Sequence, residues 1–442
     1  MKYFFETYGC QMNKAESTAL ELDLKERGWT ASIDSESADL VLINTCSVRA
    51  TAETRVMGRL AHFTAEKAKR PFRLVVAGCM AERLKDELKA RVPAVDHVMG
   101  TSSRSIFTSI LDSIEEGTEY KSSDEEPVFS FSNSHLEEGS FRSFLPIMHG
   151  CNNFCSYCIV PYVRGREISR SPSSILQEIS LLEERGVREI TLLGQNVNSY
   201  HHADGNKIID FPTLLRLVAE RVEKGPIRWV RFLSSHPKDL SSQAIEVIRD
   251  HPVLCRHLHL CVQHGSDPIL KAMNRRYTRS RYLELLAEIK SALPDISLST
   301  DILIGFPGET EEDVAQTLDL MEKVKFSYAF MYHYNPREGT EAYSLPNQIE
   351  EKVKKERLAR VIALQAKHTK ERMREHLGTR TIALIEGPSR NDPNELLART
   401  SRDEMLIVPA DGLEAGIFIE AELSKLRGNT FRTKEARICP GA

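Results

Sequence analysis

Apolar and polar positions along the chain follow two alternating patterns. Three short apolar runs, KYFFETYG, DLVLINT and FRLVVAG, are each followed by apolar residues at helical spacing: AESTALELDLKERG, residues 52–69 and MAERLKDELKARV. A buried run, a turn and an amphipathic helix, repeated, predict βαβ units and an open parallel α/β sheet over residues 1–118. The alternation resumes over residues 144–372. The strand candidates there are SFLPIMHG, REITLLGQN, RWVRFLSSH, HLHLCVQH, ISLSTDILIGF and YAFMYHYN, with helical patterns between them. Six βα units fall short of a closed (β/α)8 barrel and predict a partial (β/α)6 barrel with a wide mouth. Over residues 376–440 the pattern becomes short β-like stretches divided by Gly, Pro and Asp, which predicts a small all-β barrel of the kind that often binds oligonucleotides. Residues 119–143 are acidic and Ser-rich and read as a linker.

Composition refines this picture in three ways. The 442 residues are 41% apolar and 28% charged, as in a soluble protein of several domains. No run approaches the ~18 apolar residues of a membrane span, and MKYFFETYG lacks a long apolar leader. The expectation is a cytoplasmic protein with no membrane partner, in which nine cysteines serve as ligands, catalysts or buried apolar residues and not as disulfides. The net charge of −4 makes no overall polyanion binder, but residues 351–380 carry ten Lys/Arg against four Asp/Glu. That excess reads either as a solvated amphipathic helix or as a phosphate-contacting surface.

The cysteines carry the chemistry. Cys10, Cys46 and Cys79 each follow one of the first three strand candidates, 36 and 33 residues apart. Loops at the carboxyl ends of parallel strands share one edge of the sheet, so three distant cysteines are expected to converge on a shared metal or cluster site. A second set, Cys151, Cys155 and Cys158, has the spacing C-x3-C-x2-C after the first barrel strand. Structural zinc wants a second pair, for which only His149 stands nearby. A disulfide oxidoreductase wants C-x2-C in another context. Three thiolates on a [4Fe–4S] cube leave one iron open, and an open metal position suits catalysis. Polar residues crowd the carboxyl ends of the barrel strands, where such folds place their chemistry: Gln195, Asn196, Ser234, Gln263, Asp301 and Asn335 among them.

The stretch MHGCNNFCSYC resembles the radical S-adenosylmethionine (SAM) superfamily, in its three cysteines and in Tyr157 before the last of them. TYGCQMN, NTCSVR, AGCMAER, IVPYVRGRE, LLGQNVNSY, DILIGFPGET and YNPREGT resemble the methylthiotransferases of that superfamily, across all three segments. The resemblance implies a second, auxiliary [4Fe–4S] cluster on Cys10, Cys46 and Cys79, and SAM on the cluster of Cys151, Cys155 and Cys158. It implies methylation of a cluster-associated sulfur by one SAM and hydrogen abstraction from adenine C2 by the radical from another. TYGCQMN and NTCSVR favour the branch that converts N6-isopentenyladenosine beside the tRNA anticodon to its 2-methylthio derivative. The alternatives are the branch acting on a ribosomal-protein aspartate and the one acting on threonylcarbamoyladenosine. The resemblance further implies SAM contacts from Tyr157, Gln195, Asn196, Ser234, Gln263 and Asp301. It implies backbone approach to the SAM adenine at Gly305 and Pro307, and substrate contacts from Arg164 and Arg166. Expected partners are tRNA and an electron donor such as flavodoxin or ferredoxin, the chain acting as a monomer with a TRAM domain at its end. Where relatives read LPVQSGS this chain has LCVQHGS, which puts Cys261 and His264 beside the expected SAM pocket. A zinc adenine deaminase would carry P-C-x2-C, and none occurs here.

Overall fold

The structure is a computed structural model, which describes residues 1–47, 50–101, 104–118, 120, 129–131, 139–233, 235–390 and 392–439. Most of the expected linker, and Ser234, lie outside the described residues.

The first segment forms β1 (Lys2–Thr7), α1 (Gln11–Glu26), β2 (Thr30–Ala31), β3 (Leu40–Thr45), α2 (Ala50–Lys67), β4 (Arg73–Gly78), α3 (Cys79–Leu84), α4 (Asp86–Arg91), β5 (His97–Met99) and α5 (Arg104–Glu116). The five strands make one parallel sheet in the order β2-β1-β3-β4-β5. Both faces are buried: Val41 and Ile43 point into one apolar cluster, Leu40 and Leu42 into the other. This is why β3 reads as a continuous apolar run. The pattern MAERLKDELKARV predicts one helix, but the structure breaks it into α3 and α4 at Lys85, whose φ is +42°.

The second segment contains β6 (Arg142–Pro146), α6 (Val160–Arg164), β7 (Glu189–Leu193), β8 (Trp229–Phe232), β9 (His257–His259), β10 (Ser297–Ile304), α7 (Glu311–Val324), β11 (Tyr328–His333) and α8 (Glu351–Glu375). Two parallel sheets, β8-β7-β6 and β9-β10-β11, are joined by parallel bridges Val230–Leu254 and Ser235–Leu260. All six strand candidates thus fall in one open parallel array around a single large core. The third segment is one seven-stranded sheet of β12 (Arg380–Pro388), β13 (Glu395–Thr400), β14 (Met405–Pro409), β15 (Phe418–Glu422), β16 (Lys425–Arg427), β17 (Thr430–Arg432) and β18 (Ala436–Ile438), in the order β16-β17-β14-β13-β12-β15-β18. Its core includes Met373 from the end of α8.

The basic excess of residues 351–380 is partly neutralised. Arg357 pairs with Glu309 and Glu311 at 2.9 and 2.7 Å, Arg360 with Glu311 at 2.6 Å and Lys367 with Glu322 at 3.6 Å. These cations are held by α7 and the turn before it, which weakens the reading of α8 as a free phosphate-binding face.

Candidate active site

Because β1, β3 and β4 are neighbours, the chain leaves the sheet at three adjacent points on one edge. Cys10 caps α1, Cys46 follows β3 directly and Cys79 opens α3. Asn13 pins the first loop to the second: its Nδ2 donates to Asn44 Oδ1 and to the Thr45 carbonyl, both at 3.1 Å, and its Oδ1 accepts from the Cys10 N–H at 3.2 Å. Asn44 returns a bond to the Asn13 carbonyl at 3.0 Å. Cys46 and Cys79 are buried and Cys10 is exposed. Burial pushes the Cys79 thiol up to about 11, and both Cys46 and Cys10 lie within its electrostatic reach. The convergence expected from strand-end spacing is present.

The second set sits on the loop between β6 and α6. Gly150 enters that loop at φ +79°, where a Cβ would meet the Arg166 carbonyl oxygen at 2.1 Å. Its N–H donates to Gln195 Oε1 at 2.6 Å. Burial pushes the thiols of Cys151 and Cys158 up to about 11 and 12. Arg275, itself buried, donates to Cys155 Sγ at 3.3 Å and to the Cys261 carbonyl at 2.7 Å. Three closely spaced thiols, Cys151 and Cys155 buried and Cys158 partly so, with one guanidinium beside them fit a ligand set that becomes thiolate on binding iron, since ligation offsets the cost of ionising a thiol away from water. Cys10, Cys46 and Cys79 fit a second set, two of them buried and Cys10 open to the cavity, with the Arg164 guanidinium facing Cys79.

One cavity of about 1610 Å³ joins the two sets: Cys10 and Cys158 are both on its wall. Arg337 lines it too, reaches Glu53 of α2 at 3.4 Å and lies in the electrostatic field of both Cys46 and Cys158. Burial holds its guanidinium below the usual value, with Glu53 opposing.

The remaining expected site residues divide. Tyr157, Gln263 and Asp301 line the cavity. Gln195 braces Gly150, and Asn196 donates to Asp239 Oδ2 at 2.7 Å and accepts from the His236 N–H at 3.2 Å. Gly305 (φ +75°) and Pro307 form a buried turn, and a Cβ on Gly305 would meet Lys354 Cγ at 2.4 Å. Arg164 is buried and pairs with Glu16 of α1, while Arg166 is exposed and lies 4.4 Å over the Phe154 ring. His149, the candidate fourth zinc ligand, stacks on Phe129 at 3.7 Å.

The LCVQHGS departure resolves into two parts. His264 Nδ1 accepts from the Ser266 N–H at 3.1 Å, so Nε2 carries the proton and donates to Glu309 Oε2 at 3.1 Å. Glu309 also accepts from the Gly305 N–H at 2.8 Å, so His264 supports the Gly305 turn. Cys261 Sγ lies 3.2 Å from His259 Nε2 and 3.4 Å from Asp301 Oδ2, beside the cavity. Cys255 and Cys439 share an apolar cluster between the barrel and the third sheet and are structural. Asn13, Asn44 and Arg337 fall inside TYGCQMN, NTCSVR and YNPREGT, where sequence reading looked only for cysteines and turns. Arg275 carried no spacing signal at all.

A parallel array with three cysteines on its first loop defines a radical SAM enzyme. Residues 145–321 match the radical SAM superfamily, and residues 2–100 match the uncharacterized protein family UPF0004. Among solved structures, the radical SAM methyltransferase TsrM from Kitasatospora setae aligns with a TM-score of 0.58 at 16% identity, over 75% of this chain and 72% of that one. The cobalamin-dependent radical SAM enzyme OxsB aligns at 0.52 and 10% identity, over 83% of this chain and 56% of that one. These share the fold. In sequence, the tRNA-2-methylthio-N(6)-dimethylallyladenosine synthase of Treponema denticola is 53% identical over 98% of this chain and 99% of its own length. Its counterpart in Bacteroides fragilis is 41% identical over 98% and 95%. The chain belongs to the family of tRNA-2-methylthio-N(6)-dimethylallyladenosine synthases. Among the described residues no helix is long and apolar enough to cross a membrane.

Proposed function

We propose that the chain is a tRNA methylthiotransferase that converts N6-isopentenyladenosine beside the anticodon to its 2-methylthio derivative. The observation that carries this reading is one cavity whose wall holds a cysteine of each three-cysteine set, Cys10 and Cys158. Cys151, Cys155 and Cys158 would hold the cluster that binds SAM, and Cys10, Cys46 and Cys79 an auxiliary one. When bound, these groups supply a 5′-deoxyadenosyl radical and the sulfur to be transferred. The chain's own residues enclose that chemistry. Asn13 and Gln195 fix the two cysteine loops, Arg275 sets positive charge beside Cys155, and Arg337 sets it between the two sets. A walled cavity keeps a reactive radical from water. Tyr157, Gln263 and Asp301, which share a wall with Cys158, would contact SAM. The target adenosine lies in a loop, where unstacking costs little. The third sheet would act as a TRAM domain on the tRNA. A flavodoxin or ferredoxin would supply electrons to a cytoplasmic monomer.

The test is incubation of the iron-reconstituted chain with isopentenylated tRNA, SAM and a low-potential reductant, followed by mass spectrometry of the nucleosides. The 2-methylthio derivative of isopentenyladenosine is expected. Methylthiolation only of threonylcarbamoyladenosine, or only of a ribosomal-protein aspartate, would overturn the assignment.

A further inference from the structure

The inner face of β11 carries aromatic residues at alternate positions: Tyr328, Phe330 and Tyr332. The intervening Ala329 and Met331 pack outward against the barrel core. Side chains normally fill the inside of such a barrel. Here Phe330 stays 47% exposed and Tyr332 38% exposed, and both rings face the cavity that holds Cys10 and Cys158. Exposed aromatic surface inside a concave site marks a ligand with an apolar face.

Spacing narrows the ligand. Residues two apart on one strand face are separated by about 6.6 Å, which is about twice the ~3.4 Å rise between stacked bases. Two rings at that separation, turned parallel, would admit one nucleobase between them. Phe330 is steadied by edge-on contacts from His259 and Tyr328, each with ring centroids 5.7 Å away. Exposed Lys14 and Lys355 line the same cavity and suit a ligand with phosphates attached. Five residues beyond Tyr332 the chain reaches Arg337, in the field of Cys46 and Cys158. The two rings are thus on the wall of the cavity that Cys10 and Cys158 also line.

We propose that Phe330 and Tyr332 form a base-stacking clamp that takes one purine of an RNA loop, its apolar N6 substituent lying against the rings. The identity of that purine as the isopentenylated adenine rests on the function proposed above; the clamp itself rests on the exposed aromatic face and its spacing.

The experiment uses the full iron-loaded chain and two anticodon stem-loop oligonucleotides, one with isopentenyladenosine and one with adenosine at the target position. Binding and methylthiolation are both measured for Phe330→Ala, Tyr332→Ala, Phe330→Tyr and Tyr332→Phe, with iron per chain as the check of folding. Each alanine variant is expected to bind the isopentenylated loop about 5- to 150-fold more weakly, from ~1–3 kcal/mol per stacked base. The aromatic replacements are expected to restore binding. Alanine variants that keep their iron and bind as tightly as the unmutated chain overturn the clamp, even where product forms. An unmutated chain that binds the loop through these rings but makes no methylthio product overturns the proposed function and leaves the clamp standing.

Discussion

Arg164 and Glu16 stand 148 residues apart and meet across the boundary between the first sheet and the barrel. Both guanidinium Nη atoms donate to the two carboxylate oxygens, at 2.6 and 3.2 Å. The Arg164 side chain is buried, and Cys79 lies in its field. The pair fixes the loop of Cys151, Cys155 and Cys158 against the helix that Cys10 caps. It turns an arginine expected to meet substrate into one that joins the two cysteine sets.

Glu16→Gln leaves that guanidinium buried without its partner charge. Breaking a buried pair from one side costs ~3–5 kcal/mol, so the variant is expected to unfold at a clearly lower temperature than the unmutated chain in a thermal melt. Iron should be lost first from the Cys10, Cys46 and Cys79 set, whose docking depends on the pair. An unchanged melting curve would show that the interface does not need it.

Arg337 gives a prediction about coupling. It bonds Glu53 of α2, lines the cavity and lies in the field of a cysteine from each set. Arg337→Met keeps much of the volume and removes the charge. Iron per chain is expected to stay constant, while methylthiolated product falls about tenfold or more, the equivalent of ~1.4 kcal/mol. Product formation at the unmutated rate would remove Arg337 from the reaction.

The elements that reading the sequence located best are those with the strongest period. β1, β3 and β4, and five of the six barrel strands, lie within the runs that predict them, because buried parallel strands leave continuous apolar stretches, and β6 begins one residue early at Arg142. The set of Cys10, Cys46 and Cys79 was legible for a topological reason, since residues at strand ends of a parallel sheet meet whatever their separation along the chain, and the set of Cys151, Cys155 and Cys158 from its local C-x3-C-x2-C spacing. What escaped was anything set by contacts between segments. Nothing local marks Arg164 as Glu16's partner, Gln195 as the brace of Gly150, or Arg275 as the donor to Cys155. The break at Lys85 escaped as well, since no Gly or Pro announces it. The basic run in α8 was read from its own charges alone, while Glu309, Glu311 and Glu322 on the facing segment decide how much remains.

Iron content tests the two sets separately. Two four-iron cubes predict about eight iron atoms per chain after anaerobic reconstitution, and about four in Cys151→Ala or in Cys10→Ala. The two losses should be independent, because the sets occupy different sheets. Four atoms in the unmutated chain, or a loss of all iron in both variants, would reduce the site to a single cluster.

The third sheet, which the sequence predicts as a small all-β barrel of an oligonucleotide-binding kind, yields the last prediction. A separate RNA-binding module should be removable after about residue 375 with both clusters intact. The sheet is instead tied to the barrel through buried charge. Arg399 Nη2 donates to Glu189 at 2.6 Å, and Glu189 in turn accepts from Arg231 Nε at 2.8 Å. Arg231 also donates to the Thr400 carbonyl at 2.7 Å, and Tyr328 of β11 donates to Asp403 at 2.7 Å. Glu189 and Arg231 are buried, and the apolar cluster of Trp229, Cys255, Leu384, Phe418 and Cys439 closes the same interface. Truncation would expose all of this and remove a partner from each of Glu189, Arg231 and Tyr328. The expected outcome is a barrel destabilised by at least the ~3–5 kcal/mol of a broken buried pair, read as a lower thermal midpoint and poor iron retention. A point variant isolates the same contact: Arg399→Met should lower the midpoint without deleting the sheet. A truncated chain that melts like the full one and holds all its iron would restore the picture of an independent module.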